Sequence, residues 1–449
     1  MGKALPCTLK DCQKIGLIGL GTSNLGVLSC LEDAKKNISV TIRSEKEISH
    51  PRYPVRCGDG YLEEITEDAL ILSPSVRPNK PRILEARKRG ARILSDAEIF
   101  FTDTKADCFA VTGSDGKSTT TALISHLLSA AMGKDVPAVG NIGRAFSPLL
   151  FLPHTAYAVE LSSFQLFHYT PKCTRAVITN LTENHLNWHK GMEEYAAAKA
   201  GLYENAKETA LCIDDPCLTK LLKKAPFAVY STEKSEGEML KTRAEFAYYI
   251  KDGAVYENGR RFLSLSRFPL FGKHNLYNLL SALAVTAGYT TKESAETVER
   301  FHPLAHRCER VAERRGVHYF DSSIDSSPSR TQKTLSCFST PVILLLGGLG
   351  KDCSPAPLMP CVCEKCRAVI GFGPFGKEAT EFLRAEGYAG ILPPPTKRLA
   401  DAVALANSLA KTGDSILLSP GATSFDEFEN FTARGLYFRR LVNESDSTS

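Results

Sequence analysis

The segment from Cys108 to Thr120, Cys-Phe-Ala-Val-Thr-Gly-Ser-Asp-Gly-Lys-Ser-Thr-Thr, constrains this chain more than any other. A short apolar strand runs into a glycine-rich turn, and Lys117 with three hydroxyl residues then opens a helix. The apolar positions Ala122, Ile124, Leu127, Leu128 and Ala131 mark that helix as amphipathic. Strand, glycine turn and helix in that order suit a polyphosphate, because backbone N–H groups at the turn and the helix N-terminus point at the anion while Lys117 adds a mobile positive charge. The pattern predicts ATP held by Gly113, Ser114, Asp115, Gly116, Lys117, Ser118, Thr119 and Thr120. The plainer alternative is a strand-to-helix turn with a surface lysine. One position departs from the common nucleotide-triphosphatase loop: Val111 stands where that loop has glycine, five residues before Gly116.

A chain of 449 residues with 43% hydrophobic content has room for roughly three packed cores of about 150 residues each. It has no run of about 18 apolar residues, and the segment beginning Met-Gly-Lys-Ala-Leu-Pro-Cys lacks the apolar stretch of a secretion signal. A soluble cytoplasmic protein without membrane insertion is expected. The formal charge of +5 is mild, and no basic stripe interleaved with aromatics appears, so no nucleic-acid partner is expected. The 14 cysteines read as reduced thiols packed as small hydrophobes. Cys353, Cys361, Cys363 and Cys366 cluster in sequence, but only the last two have the spacing of a zinc knuckle.

Apolar strands alternate with helical stretches along the whole chain, which predicts an α/β fold of three domains. Residues 1–104 read as a Rossmann-like domain, from Ile15-Gly-Leu-Ile-Gly-Leu-Gly21 through Ala69–Ser73 and Ala91–Leu94. Residues 105–303 read as a central P-loop-type ATPase domain with a mostly parallel sheet, ending in a hairpin-like stretch from Ala247 to Phe262 and a helix from Asn275. Residues 304–449 read as a second Rossmann-like domain, with a disordered polar tail from Asn443. The first glycine turn is not a nicotinamide fingerprint, since Asn24 replaces its third glycine and Arg43 stands where an acidic ribose ligand belongs. A cation at that strand end suits a phosphate or uridine-diphosphate group. The alternative is a glycine turn that only packs a helix on a strand.

Further blocks follow in order: Gly140-Asn-Ile-Gly143, Glu160-Leu-Ser-Ser-Phe-Gln-Leu166, Asn180-Leu-Thr-Glu-Asn-His-Leu-Asn187, Tyr195-x-x-x-Lys199 and Gly272-Lys-His-Asn275 with Asn278. Beyond them lie His306-Arg307, Gly347-Gly-Leu-Gly-Lys351 and Ser419-Pro-Gly-Ala-Thr-Ser-Phe-Asp-Glu-Phe428. Together with the loop these resemble the Mur ligases of peptidoglycan synthesis over nearly the whole chain. The Ser-Ser-Phe-Gln-Leu block and the Ser-Phe-Asp-x-Phe close are most similar to the branch that adds D-glutamate to UDP-N-acetylmuramoyl-L-alanine. The resemblance implies carboxylate activation: ATP phosphorylates the substrate's terminal carboxylate, and an amino group attacks the acyl phosphate. Two Mg²⁺ ions are implied, one held by Ser118 or Thr119 with Glu160, the other served by His185. Lys199 would carry a carbamate that makes it an anionic metal ligand, and Lys117, Lys199 and His185 form the implied catalytic set. Asn275, Asn278, His306 and Arg307 would hold ATP. Arg43, Asn141 and Ser162 would contact the UDP substrate, and Ser326, Lys351, Ser424 and Phe425 would hold D-glutamate. A monomer is implied.

The chain also departs from the family pattern. Asn184 and Asn187 stand where Asp is common, Ser322 where an Asp often contacts the nucleotide, Ile324 where some members have Lys, and Ser75 where Gly follows Ser73-Pro74. Asp321 or Asp325 is expected to cover the missing nucleotide contact. Two alternatives stay open at this level: a family member adding a different amino acid, and a nucleotide-binding homologue without catalysis.

Overall fold

The computed structural model describes residues 5–34, 37–186, 188–270, 272–302, 304–350 and 354–444. The chain divides into two compact units, Met1–Pro269 with His274–Phe301, and Leu270–Lys273 with His302–Ser449. Three sheets are spread over them.

The first sheet contains β1 (Lys14–Ile18), β2 (Ser39–Ser44), β3 (Val55–Cys57), β4 (Ala69–Leu72) and β5 (Arg92–Leu94), all parallel in the order β3-β2-β1-β4-β5. The apolar runs of β1 and β4 are buried along their length, as strands covered on both faces require. After β1 the chain turns at Gly19 into the helix Thr22–Asp33. Asn24, the residue that replaces the fingerprint glycine, is buried there and donates from Nδ2 to the carbonyls of Ile18, Gly19 and Ile71 at 3.2, 2.7 and 3.1 Å.

The second sheet contains β6 (Asp107–Thr112), β7 (Ala138–Gly140), β8 (Ala156–Glu160), β9 (Arg175–Ile178), β10 (Glu208–Cys212), β11 (Ala228–Ser231), β12 (Phe246–Lys251), β13 (Ala254–Glu257) and β14 (Arg260–Ser264). Their order is β14-β13-β12-β11-β10-β9-β6-β8-β7. It is parallel from β7 to β12 and closes with two antiparallel hairpins. Their turns, Asp252-Gly253 and Asn258-Gly259, have positive φ at both residues, the geometry that favours Asp-Gly and Asn-Gly. Because β6 lies between β8 and β9, the carboxyl ends of those three strands meet beside the glycine loop.

The second unit holds β15 (Glu309–Arg314), β16 (Val317–Asp321), β17 (Val342–Gly347), β18 (Cys366–Phe372) and β19 (Ser415–Gly421) in the order β15-β16-β19-β17-β18, parallel except for β15. The sequence pattern did not mark β15, whose hairpin turns through Arg315-Gly316 with both φ positive. The final helix, Phe431–Glu444, takes in Asn443 and Glu444, which were expected in a disordered tail; the remainder of that tail lies outside the described residues. Among the described residues no helix is long and apolar enough to cross a membrane.

The first two sheets share one compact unit because the helix Asp96–Asp103 serves both cores. Ile99 packs under the first sheet, while Ala97 and Phe100 pack under the second, with the Phe100 ring 5.2 Å from Phe146 and 5.1 Å from Tyr157. At the start of that helix the buried Asp96 carboxylate accepts from the backbone N–H groups of Phe146 and Ser147, each at 3.0 Å, and from the Ser147 hydroxyl. Burial pushes its pKa up to about 6, against those three donors. A raised carboxyl pKa means the folded chain holds a proton that the unfolded chain has released, so stability falls as pH rises through that window. The stability difference between wild type and Asp96→Asn, from denaturant melts at stepped pH, is expected to shrink by about 2 kcal/mol between pH 4 and 6.

Candidate active site

The glycine loop is the centre of the first unit. β6 ends at Thr112, Gly113 and Gly116 adopt φ of 145° and 78°, and the helix Lys117–Met132 begins on Gly116. No side chain fits at either glycine: a Cβ on Gly113 would lie 2.0 Å from Thr179 Oγ1, and one on Gly116 2.2 Å from Asn278 Oδ1. The helix N-terminus therefore opens directly off the strand, with its first amides lacking intrahelical acceptors.

The loop residues divide into two sets. Ser114 N donates to the Asn180 carbonyl and Asp115 N to Asn180 Oδ1, both at 3.0 Å. The Ser114 hydroxyl sits between the Thr182 backbone and the Tyr195 hydroxyl, 2.8 Å from each oxygen. Ser114 and Asp115, expected to contact phosphate, thus use these groups to frame the loop. Lys117, Ser118, Thr119 and Thr120 occupy the first helical turn. Lys117 Nζ donates to the Ser114 carbonyl at 2.9 Å, and Thr120 Oγ1 donates to Asn278 Oδ1 at 3.3 Å. Asn278 Nδ2 in turn donates to Asn275 Oδ1 at 3.0 Å, which places both asparagines of the helix Lys273–Val285 beside the loop.

Lys199 comes from the helix Met192–Asn205 and is 1% exposed. Its Nζ donates to the Gly113 carbonyl at 2.8 Å and to Thr112 Oγ1 at 3.3 Å, and lies 4.6 Å from the Tyr195 ring centroid. Burial, and then the nearby charge of Lys117, push its pKa well below the ordinary lysine value against the pull of Glu160 and Asp115. Glu160, at the end of β8, is buried; Oε1 accepts from Asn141 Nδ2 at 2.8 Å, while Oε2 has no hydrogen-bond partner. A buried carboxylate oxygen left without a donor is the kind of atom a hard cation satisfies. His185 is exposed, with φ of 56° and its ring 4.8 Å from Phe164. Ser162 accepts from Gln165 N at 3.2 Å and caps the short helix Ser163–His168, so its hydroxyl is used in the cap.

Arg43 is corrected by the structure. It is buried, and its donors are spent inside the protein: Nε and Nη2 hold the Glu67 carboxylate at 2.8 and 3.1 Å, and Nη1 and Nη2 also reach the carbonyls of Tyr61, Glu63 and Glu64. It braces the first sheet and has no donor left for a UDP group. Asp321 and Asp325, expected to replace the missing nucleotide contact, are also buried and engaged. Asp321 accepts from His306 Nδ1 at 2.7 Å and Arg439 Nε at 3.1 Å, and Asp325 from the hydroxyls of Thr334 and Ser419 at 2.7 and 2.8 Å.

His306, Arg307, Ser326, Ser424 and Phe425 all belong to the second unit. His306 is buried against Asp321, and Ser424 is buried in the loop after β19, where Arg434 pins the carbonyls of Ala422 and Thr423 at 3.1 and 3.0 Å. Phe425 on the same loop is 67% exposed. Lys351, Asn187 and Cys353 lie outside the described residues. Cys361, Cys363 and Cys366 are free thiols, and among the described residues no three His, Cys, Asp or Glu side chains are grouped to hold a metal. Residues that the sequence reading left without a role also build the site. Thr179 and Asn180 hold the Asp115 carbonyl at 2.6 and 3.1 Å, and His189 Nε2 meets Ser163 Oγ at 2.9 Å. Asn180 lay inside a quoted block and was within reach of sequence reasoning.

Residues 111–286 match the Mur ligase middle domain. The chain is 36% identical over 454 residues to the UDP-N-acetylmuramoylalanine--D-glutamate ligase of Clostridium perfringens, covering 96% of each chain. It is 34% identical over 459 residues to the enzyme of the same name from Symbiobacterium thermophilum, covering 96% of this chain and 98% of the relative. Among solved structures, the UDP-N-acetylmuramate-alanine ligase MurC of Thermotoga maritima superposes with a TM-score of 0.59 at 17% identity, covering 97% of this chain and 100% of that one. A pseudomurein peptide ligase type C from Methanothermus fervidus gives 0.57 at 15% identity with the same coverage. The structural likenesses establish a shared fold. The extent and identity of the sequence matches place the chain in the Mur ligase family.

Gly116→Ala puts a Cβ against Asn278 in a left-handed backbone. It is expected to cost about 1–3 kcal/mol of stability in thermal unfolding and to weaken ATP binding at least tenfold by nucleotide titration.

Proposed function

We infer that this chain is an ATP-dependent ligase that joins D-glutamate to UDP-N-acetylmuramoyl-L-alanine in peptidoglycan precursor synthesis, through an acyl phosphate. The observation that carries the reading is the grouping of a buried lysine amine, a carboxylate with an unsatisfied oxygen and a helix N-terminus around one glycine loop, in a chain 36% identical to a D-glutamate ligase. The first sheet, with the turn at Gly19 to Gly21 and the loop from Ser73, takes the UDP moiety. Asn141 faces the sugar-peptide. The second sheet takes ATP at residues 113–120 with Asn275 and Asn278. Ser326, Lys351, Ser424 and Phe425 take D-glutamate. ATP and a UDP-sugar are cytoplasmic substrates, which fits a cytoplasmic enzyme.

The chemistry requires several anions to meet. Lys117 leaves the Ser114 carbonyl to follow the transferring phosphoryl group, and the amides of the helix N-terminus hold the phosphates without reorganisation. Ser118, Glu160, His185 and modified Lys199 would hold Mg²⁺, which supplies charge neutralisation between the triphosphate and the substrate carboxylate. With one carboxylate among these residues, the set fits an ion bound largely by substrate phosphates. Lys199 is suited to carbamylation because burial favours its neutral amine, and the nitrogen lone pair adds to CO₂ only in that form. A N–C bond forms and a proton leaves, and the remaining N–H keeps a donor for the Gly113 carbonyl. The amino group of D-glutamate attacks the acyl phosphate, the amide C–N bond forms and phosphate leaves.

Phosphate release with ATP, Mg²⁺, UDP-N-acetylmuramoyl-L-alanine and a panel of amino acids tests the reading. D-glutamate is expected to stand out; release with another amino acid instead would reassign the enzyme within the family, and no release at all would refute ligation. In the same assay Lys117→Ala and Lys199→Ala are each expected to lose at least about 10²-fold in kcat. Short carboxylates should restore part of the Lys199→Ala loss and none of the Lys117→Ala loss.

A further inference from the structure

Arg77 lies on the loop after β4 in the first sheet, and its side chain reaches the turn that carries His185. The guanidinium lies against two aromatic rings that meet edge to face, 5.0 Å from the Phe167 ring centroid and 4.5 Å from that of Trp188. Nε donates to the Trp188 carbonyl at 3.1 Å; Nη2 donates to the same carbonyl and, at 2.7 Å, to Glu194 Oε2. Trp188 returns the contact, its indole N–H donating to the Ser75 carbonyl at 3.0 Å. Each side chain holds the other segment's backbone, so the loop carrying Ser75 and Arg77 and the segment carrying Trp188 are fastened reciprocally.

That turn is conformationally demanding. His185 has φ of 56°, a left-handed value that costs a non-glycine residue energy unless its surroundings enforce it. Trp188 N and His189 N both donate to the His185 carbonyl at 3.0 Å. One ring, Phe164, lies 4.8 Å from His185 and 4.7 Å from Trp188, so the fastened indole and the histidine share a wall. Glu194 also accepts from Lys190 N at 2.9 Å and sits in the first turn of the helix that carries Lys199. A planar fork that stacks and donates at once is a task for arginine that lysine does not reproduce.

We propose that Arg77 is a positioning residue which, through Trp188, holds the His185 turn and couples its geometry to occupancy of the loop after β4 by the UDP-sugar. The proposal rests on the reading above that this loop receives the UDP moiety. Trp188 is the one tryptophan of the chain, so its emission reports the coupling in the full-length enzyme without turnover. Titration of wild type with UDP-N-acetylmuramoyl-L-alanine is expected to change that emission saturably. In Arg77→Lys the change falls at least about threefold while calorimetry still registers substrate binding, and kcat drops about tenfold with KM for ATP within about twofold. Trp188→Phe, which keeps a ring and removes the indole N–H, lowers kcat as well. The double variant loses no more than the worse single variant, whereas independent damage would multiply. An undiminished emission change in Arg77→Lys, multiplying losses, or full kcat in Trp188→Phe overturns the proposal; the last applies even if Arg77→Lys does not fold. A wild type that binds no UDP-sugar and ligates nothing sinks the functional reading and this proposal together, while one that ligates normally with unlinked variants overturns the coupling alone.

Discussion

The carbonyl groups of one short loop govern the rest of this site. A glycine turn that presents a helix N-terminus to an anion has its own carbonyls facing the protein, where each needs a donor. Three consecutive carbonyls find them on three different elements. Gly113 takes Lys199 Nζ from the helix Met192–Asn205, Ser114 takes Lys117 Nζ from the helix the loop itself opens, and Asp115 takes Thr179 Oγ1 and Asn180 Nδ2 from the end of β9. Lys199 is buried where it meets that carbonyl, and burial lowers its pKa.

The same economy joins the first two sheets. The helix Asp96–Asp103 packs Ile99 on one side and Phe100 on the other, and the Asp96 carboxylate ties the loop at Phe146 and Ser147 to it. Arg43 performs the corresponding service within the first sheet, paired with Glu67 over three backbone carbonyls. Removing either charge would leave its buried partners uncompensated, which is why such groups hold a fold in one arrangement even when the pair contributes little net stability.

What the sequence made legible follows from range. The loop, its helix, the Asp-Gly and Asn-Gly hairpins and the long apolar strands are written in consecutive residues, and the structure has them where the pattern put them. Short strands such as Ala138–Gly140 and Val55–Cys57 are too brief to show a period, and β15 turns through Arg-Gly, which carries a weaker hairpin signal than Asn-Gly. Arg43 was misread because a cation at a strand end looks like a ligand until its partner is known, and Glu67 stands 24 residues further on. Arg77 and Trp188 are 111 residues apart and belong to different sheets, so nothing local could have joined them. Ser114 and Asp115 were legible as loop residues, but their division from the helix turn that follows depends on Asn180, a contact across 65 residues.

The scarcity of carboxylates among the expected metal side chains also has a physical sense. The expected metal side chains include one carboxylate, Glu160, and the neighbouring Asn184 adds no charge where an acid is common in the family. A site with one fixed anion binds a divalent cation weakly by itself and strongly once triphosphate oxygens complete it. Permanent carboxylates in greater number would hold the ion in the empty enzyme, but would repel the phosphates and the substrate carboxylate that must approach one another. A neutral amine that becomes an anion on taking up CO₂ adds a ligand without burying a further acid during folding. In the proposal made for Lys199, packed against Tyr195 and the Gly113 carbonyl, the chain would fold around an amine whose burial favours the neutral form and would take up negative charge afterwards, where Glu160 offers a further oxygen without a donor.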